Sequence, residues 1–327
     1  MSSIVLQDGG SRAAISVQFG FNVFEFQAQV GDRCVDVIDS LPALLQGTRR
    51  PTHSGAPILF PFPNRIRNGR FHWNGVAYIA PVLPDRPDAI HGYALDSRWH
   101  IVEQGPRHAV GRWQLSVDAP DRTANWPADC ILEVRYELQG PTLRSQFRIA
   151  NPDSRPLPWG LGTHTYFKLP LGPEGRREDC QLLAPAHKLW VLENSLPTGE
   201  QVAVTAEKDL RTWRSIGTEL RDDVYTDVRP TNGVVECIMR DPAAGLEIVQ
   251  RSDAAFRELV VFTPPNRRVV CMEPYTCVTD AINCQQQGMD AGLHILPPGD
   301  EVTTWIDISV RPSATKGINC PRQFPAG

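Results

Sequence analysis

The chain has 327 residues, 41% hydrophobic and 21% charged, a globular composition that excludes a disordered chain and can bury a large core. Its 33 Lys and Arg against 37 Asp and Glu give a net charge of -4, and the basic residues are scattered, which argues against a nucleic-acid partner. No stretch approaches the roughly 18 apolar residues of a membrane span, and the first residues lack the basic start and apolar run of a signal peptide, so no membrane association and a cytoplasmic location are expected.

In chain order, the first periodic segment is 35–46, the best helical candidate, limited to a few turns by Pro42. Phe71 and Trp73 lead into Asn74-Gly75, and Val76, Tyr78 and Ala80 follow, a hairpin with a turn that needs positive φ angles. Leu132, Val134, Tyr136 and Leu138 alternate with polar residues up to Gly140-Pro141. Leu143, Phe147 and Ile149 then continue the alternation, which predicts a hairpin with one wet face. Further strands are expected at 246–249, 258–262, 268–272 and 305–310. The 29 prolines and 25 glycines fall between such runs. The expected fold class is all-β, one large antiparallel sandwich over 1–310 with few short helices, followed by a Pro- and Gly-rich tail at 311–327. The 8 cysteines are dispersed without a Cys-x-x-Cys pair, so reduced, mostly buried thiols are expected, with no zinc site.

Four segments carry residues suited to proton transfer or polar recognition. Arg65 follows the rigid Pro61-Phe62-Pro63-Asn64, which would fix where its guanidinium points, toward vicinal hydroxyls or into a structural ion pair. His91 precedes Gly92-Tyr93. His164 lies in Gly162-Thr163-His164-Thr165-Tyr166-Phe167, where the glycine permits close backbone approach and the aromatics offer flat faces to sugar C–H groups, although such a histidine can also be a packing residue. Glu273 ends the apolar run Val269-Val270-Cys271-Met272 and precedes Pro274, which is expected to end or edge the strand. Its carboxylate would then stand at a sheet rim, as a base toward a sugar hydroxyl or as a turn cap. No phosphate loop, dinucleotide fingerprint, zinc-protease motif or serine-hydrolase elbow is present.

Taken jointly, Gly55-Ala56-Pro57-Ile58-Leu59-Phe60-Pro61-Phe62-Pro63-Asn64-Arg65, His91-Gly92-Tyr93, His164-Thr165-Tyr166-Phe167 and Glu273-Pro274-Tyr275-Thr276 resemble, in order, the motifs of the aldose 1-epimerase (galactose mutarotase) family. The resemblance implies a large β-supersandwich with a sugar-binding cleft, no metal and no organic cofactor. It implies an isomerase that interconverts the anomers of a hexose by ring opening and reclosure. Glu273 would be the general base, His164 the general acid, and His91 and Arg65 would polarise or position sugar oxygens. Asn64, Tyr166 and one of the adjacent Asp222 and Asp223 would complete the substrate contacts. Thr165 stands where the family usually has proline, a form similar to hexose-6-phosphate epimerases, for which Arg67 or Arg98 would be the added basic groups. A non-catalytic carbohydrate-binding or regulatory sandwich is the alternative from another class.

Overall fold

A computed structural model describes residues 3–46 and 50–313. Two large antiparallel sheets dominate it. The first has nine strands in the order His100–Gln104, His108–Gln114, Ile131–Gln139, Thr142–Ala150, Glu301–Pro312, Leu246–Asp253, Val234–Asp241, Gln181–Leu183 and Arg214–Ser215. The second has eight. Its path runs Leu196–Ala203, Ala186–Glu193, Asp222–Val228, Glu258–Phe262, Val269–Tyr275, Gly162–Thr163 and Ile58–Leu59, with Tyr166–Lys168 also pairing with Val269–Tyr275. A four-stranded sheet from Ser3–Asp8 to Arg33–Asp36 joins them.

The expected alternation sets the core. Leu132, Val134, Tyr136 and Leu138 turn inward with Leu143, Phe147 and Ile149 of the paired strand, while Glu133, Arg135 and Glu137 stay on the wetter face. Ile306, Ile308 and Val310 extend the same layer, and the second sheet answers it with Leu259, Val261, Val270 and Met272. The hairpin Arg70–Trp73 with Val76–Ile79 turns through Asn74 (φ 49°) and Gly75 (φ 78°), the left-handed pair that its sequence requires.

Three expectations are corrected. The helical candidate 35–46 contributes only the short helix Pro42–Leu45. Its first residues complete the strand Arg33–Asp36, and Pro42 starts a helix because the first turn needs no N–H from it. The last strand runs to Pro312, two residues into the segment read as a tail, and 314–327 lie outside the described residues.

The third correction concerns Pro274. It lies inside the fully buried strand Val269–Tyr275, paired with Leu259 on one side. The Thr276 N–H donates to Leu161 O (2.9 Å), so even-numbered residues of this strand turn their amides toward the 162–168 chain. Pro274, which this register sets opposite Thr163, has no amide to give to it. The strand continues because only one neighbour loses a bond.

The segment carrying Arg65 and the one carrying His91 are pinned together. Arg65 pairs with Ile90, the His91 N–H donates to Asn64 O (2.7 Å), and the Tyr93 N–H donates to Phe60 O (2.8 Å). Gly92 (φ +69°) sits at this crossing, where a Cβ would fall 2.2 Å from Phe60 O. Gly92→Ala is therefore expected to lower the unfolding free energy by at least about 2 kcal/mol in urea titration, with an unchanged m-value. A loss below about 0.5 kcal/mol would contradict this crossing.

Candidate active site

Residues of the second sheet that turn away from the inter-sheet core line a cavity of about 110 Å³. At roughly 10–15 Å³ per water, that is room for several waters or one small polar ligand. Cross-strand register builds its floor in rows. Asp222, Phe262, Cys271 and Tyr166 form one row, and Val224, Val260 and Glu273 form the next.

The Gly162–Tyr275 and Tyr166–Cys271 pairs lie on one register, and continuing it sets His164 opposite Glu273. The His164 N–H points the other way, to Pro57 O (3.0 Å), so the two residues face each other as a non-hydrogen-bonded pair, in which side chains approach most closely. His164 Nε2 lies 3.2 Å from Glu273 Oε1. The Glu273–His164 contact is thus a consequence of strand pairing.

The surrounding groups fix both side chains. The Tyr275 hydroxyl donates to Glu273 Oε2 in a short hydrogen bond. Tyr166 stacks on the His164 ring at 4.7 Å and 8° between planes, and its hydroxyl donates to Thr52 O at 2.7 Å. The His91 ring meets His164 edge-on at 5.7 Å between centroids, and Phe262 closes the other side at 5.9 Å. His91 itself has φ 66°, a left-handed conformation uncommon for histidine, held by its bond to Asn64 O. Arg65 Nη1 donates to Asn64 Oδ1 at 2.8 Å.

Burial governs the electrostatics. It pulls His164 down to about 3 and His91 well below its ordinary value, with His164 and Arg50 lowering His91 further. It pushes the Glu273 carboxyl well above the ordinary carboxylate range, opposed by the Tyr275 hydroxyl and Arg65 and reinforced by Asp222. Burial thus disfavours the charged form of each group. The Nδ1 atoms of His91 and His164 are buried without a hydrogen-bond partner.

Of the residues expected from the sequence, Glu273, His164, His91, Arg65, Asn64, Tyr166 and Asp222 all line the cavity. Asp223 does not. Alternation along Asp222–Val228 turns it to the opposite face, where its carboxylate meets Lys208 Nζ at 2.6 Å and Arg221 at 3.9 Å. Arg67 and Arg98 are also elsewhere. Arg67 pairs with Asp280 at 3.7 Å, and Arg98 borders a separate surface hollow beside Trp99 and His100. Sequence reasoning missed Tyr275 and Phe262, although Tyr275 follows from the same period-two count that faces Glu273 inward. It also missed Arg86, on a loop at the cavity, for which the sequence carries no periodic signal.

The two buried groups give opposite pH dependences of stability. The raised Glu273 contributes stability below its ordinary value of 4.5, lost as pH rises toward its folded value. The depressed His164 contributes stability above 6.5, lost as pH falls toward about 3. Glu273→Gln is thus expected to raise the thermal midpoint, with a gain that grows between about pH 5 and pH 8. A calorimetric gain that shrinks over that range would contradict a raised Glu273.

A family model described as aldose 1-epimerase matches residues 2–309. An uncharacterised protein of Escherichia coli K12, YphB, is 23% identical over 290 residues, covering 83% of this chain and 90% of that protein. Among solved structures, a galactose mutarotase-like protein of Clostridium acetobutylicum superposes with a TM-score of 0.83 at 20% identity, covering 94% of each chain. The GalM/aldose epimerase homologue of C. elegans gives 0.80 at 16% identity over 96% of this chain and 99% of the other. A galactose 1-epimerase of Lactobacillus acidophilus gives 0.72 at 16% identity, over 94% and 93%. The match spans nearly the whole chain and all four motif segments, and the chain belongs to the aldose 1-epimerase family.

Proposed function

We propose that the protein interconverts the α and β anomers of a free hexose by general acid/base ring opening and reclosure. The observation that carries this reading is the buried carboxylate–imidazole contact of Glu273 and His164 on the floor of a small polar cavity. Such a pair can move one proton onto a substrate while taking another off, with no covalent intermediate.

In the forward direction ionised Glu273 removes the proton of the anomeric hydroxyl, the C1 carbonyl forms, and the C1–O5 bond breaks. His164, as imidazolium, protonates O5. Rotation about C1–C2 and the reverse proton transfers close the ring on the other face. Ring opening puts one proton on Glu273 and takes one from His164, so the catalytic cycle conserves charge throughout. Sugar hydroxyls donating to Glu273, together with the Arg65 guanidinium, favour the ionised carboxylate from which the cycle starts. In this reading His91 and Arg65 hold the ring and hydroxyl oxygens, Asn64 and Asp222 complete the polar contacts, and Tyr166 at the cavity wall supports the His164 ring by stacking.

Phosphorylated substrate is less well supported, since Arg67 and Arg98 stand away from the cavity and Arg86, which lines it, is 3.5 Å from Asp85. None of the described cysteines is bridged, in keeping with a reducing, cytoplasmic setting.

Polarimetry on freshly dissolved α-glucose and α-galactose tests the reading. The protein is expected to accelerate the approach to anomeric equilibrium, and Glu273→Gln and His164→Asn each to lower kcat/KM at least about 10²-fold with unchanged circular dichroism. Binding of sugar with no acceleration would leave a carbohydrate-binding sandwich as the better account. Asp222→Asn is expected to raise KM about tenfold with little change in kcat, whereas Asp223→Asn should stay within about twofold of the parent. Equal effects of the two would contradict the assignment of Asp222.

A further inference from the structure

Cys271 takes no part in the proton transfers proposed above, yet it stands on the same strand face as Glu273, two residues away. It pairs across the sheet with Tyr166 and Phe262, and no part of it is exposed. Its Sγ, a nitrogen of His164 and a carboxylate oxygen of Glu273 all lie within 4.8 Å of one another. We propose that Cys271, His164 and Glu273 form a binding site for a thiophilic divalent cation of the Zn²⁺ class, whose occupancy closes the sugar cavity.

The donor set selects the ion. A thiolate, an imidazole and one carboxylate suit Zn²⁺, Cd²⁺ or Co²⁺ and discriminate against Mg²⁺ and Ca²⁺, which take oxygen donors. Tetrahedral Zn²⁺ with bonds of about 2.0–2.3 Å needs donors roughly 3.3–3.6 Å apart. The His164–Glu273 distance of 3.2 Å already meets this, and the thiol needs to approach by no more than about 1.2–1.5 Å. Glu273 and His164 line the cavity, from which a water would complete the shell.

Charge is balanced as well. Cation binding requires the thiolate form, and the dication with thiolate, carboxylate and neutral imidazole carries no net charge, so the buried site is not left with an uncompensated ion. The Tyr275 hydroxyl on Glu273 Oε2 and the Tyr166 ring against His164 hold two of the donors in place. Since the cation occupies the atoms that would reach the sugar, it competes with substrate. Only this inhibitory consequence rests on the proposed activity; the binding itself does not.

The test is a Co²⁺ titration of the full chain, read by the near-ultraviolet thiolate-to-cobalt charge-transfer band, with Zn²⁺ affinity measured against a chromophoric chelator. The band is expected in the parent and in Cys34→Ser, which lacks the one exposed thiol among the described residues, and is expected to vanish in Cys271→Ala and Cys271→Ser. Zn²⁺ affinity should fall at least about tenfold in both Cys271 variants. Zn²⁺ should slow anomerisation by the parent reversibly on chelation, and the Cys271 variants should turn over without that inhibition. Absence of the band in the parent, or its persistence in the Cys271 variants, overturns the site. A Cys271-dependent band in a protein that accelerates no sugar upholds the cation site while refuting the anomerase reading.

Discussion

The constraint on which the rest of the structure depends is the burial of an ionisable carboxyl directly opposite an imidazole. Burial disfavours charge on either group alone, raising the Glu273 carboxyl and lowering the His164 imidazole. Together they can exchange a proton with a ligand without changing net charge. The second sheet supplies the opposition through register alone: one strand brings Glu273, its neighbour brings His164, and the non-hydrogen-bonded type of pair closes the gap to 3.2 Å. Pro274 fits this arrangement, because the amide it lacks would have faced Thr163, beside the His164–Glu273 pair.

Much of the scaffold was legible because alternation is a direct signature of a half-buried strand. The hairpin around Gly140-Pro141 and the one around Asn74-Gly75 follow from pattern and turn chemistry alone. The motif residues were legible only jointly, through family resemblance, since His91, His164 and Glu273 are far apart in sequence and meet through long-range pairing. Local reading failed where two rules competed. Pro274 argues for a strand end, but a proline disrupts only the neighbour its amide would have faced. Asp222 and Asp223 could not be separated because Val224-Tyr225 is apolar at both positions and gives alternation no phase. The structure sets that phase through the Asp222–Phe262 pair. Arg86 reaches the cavity from a loop, where no periodicity exists to report it.

The same burial makes the site unfavourable to folding and useful for chemistry. Two imidazole nitrogens without partners and a carboxyl kept from its ordinary titration are features that a stability-optimised core would lack. They are held by a rigid frame: the Tyr166 stack, the Tyr275 hydroxyl, and the crossing at Gly92 that fixes His91 beside His164. Cys271 adds a soft donor to this frame on the same strand face, so the residues that would handle a sugar also present a thiophilic donor set.

The most direct test of the central claim, that Glu273 and His164 act as one proton-transfer unit, is a double-mutant cycle on the anomerisation rate. Glu273→Gln, His164→Asn and the double variant would be followed by polarimetry on the same sugar. If the pair works as a unit, the double variant should be no more than about threefold slower than the slower single variant, because the first substitution already disables both transfers. Losses that multiply across the two substitutions would show independent contributions and contradict the account.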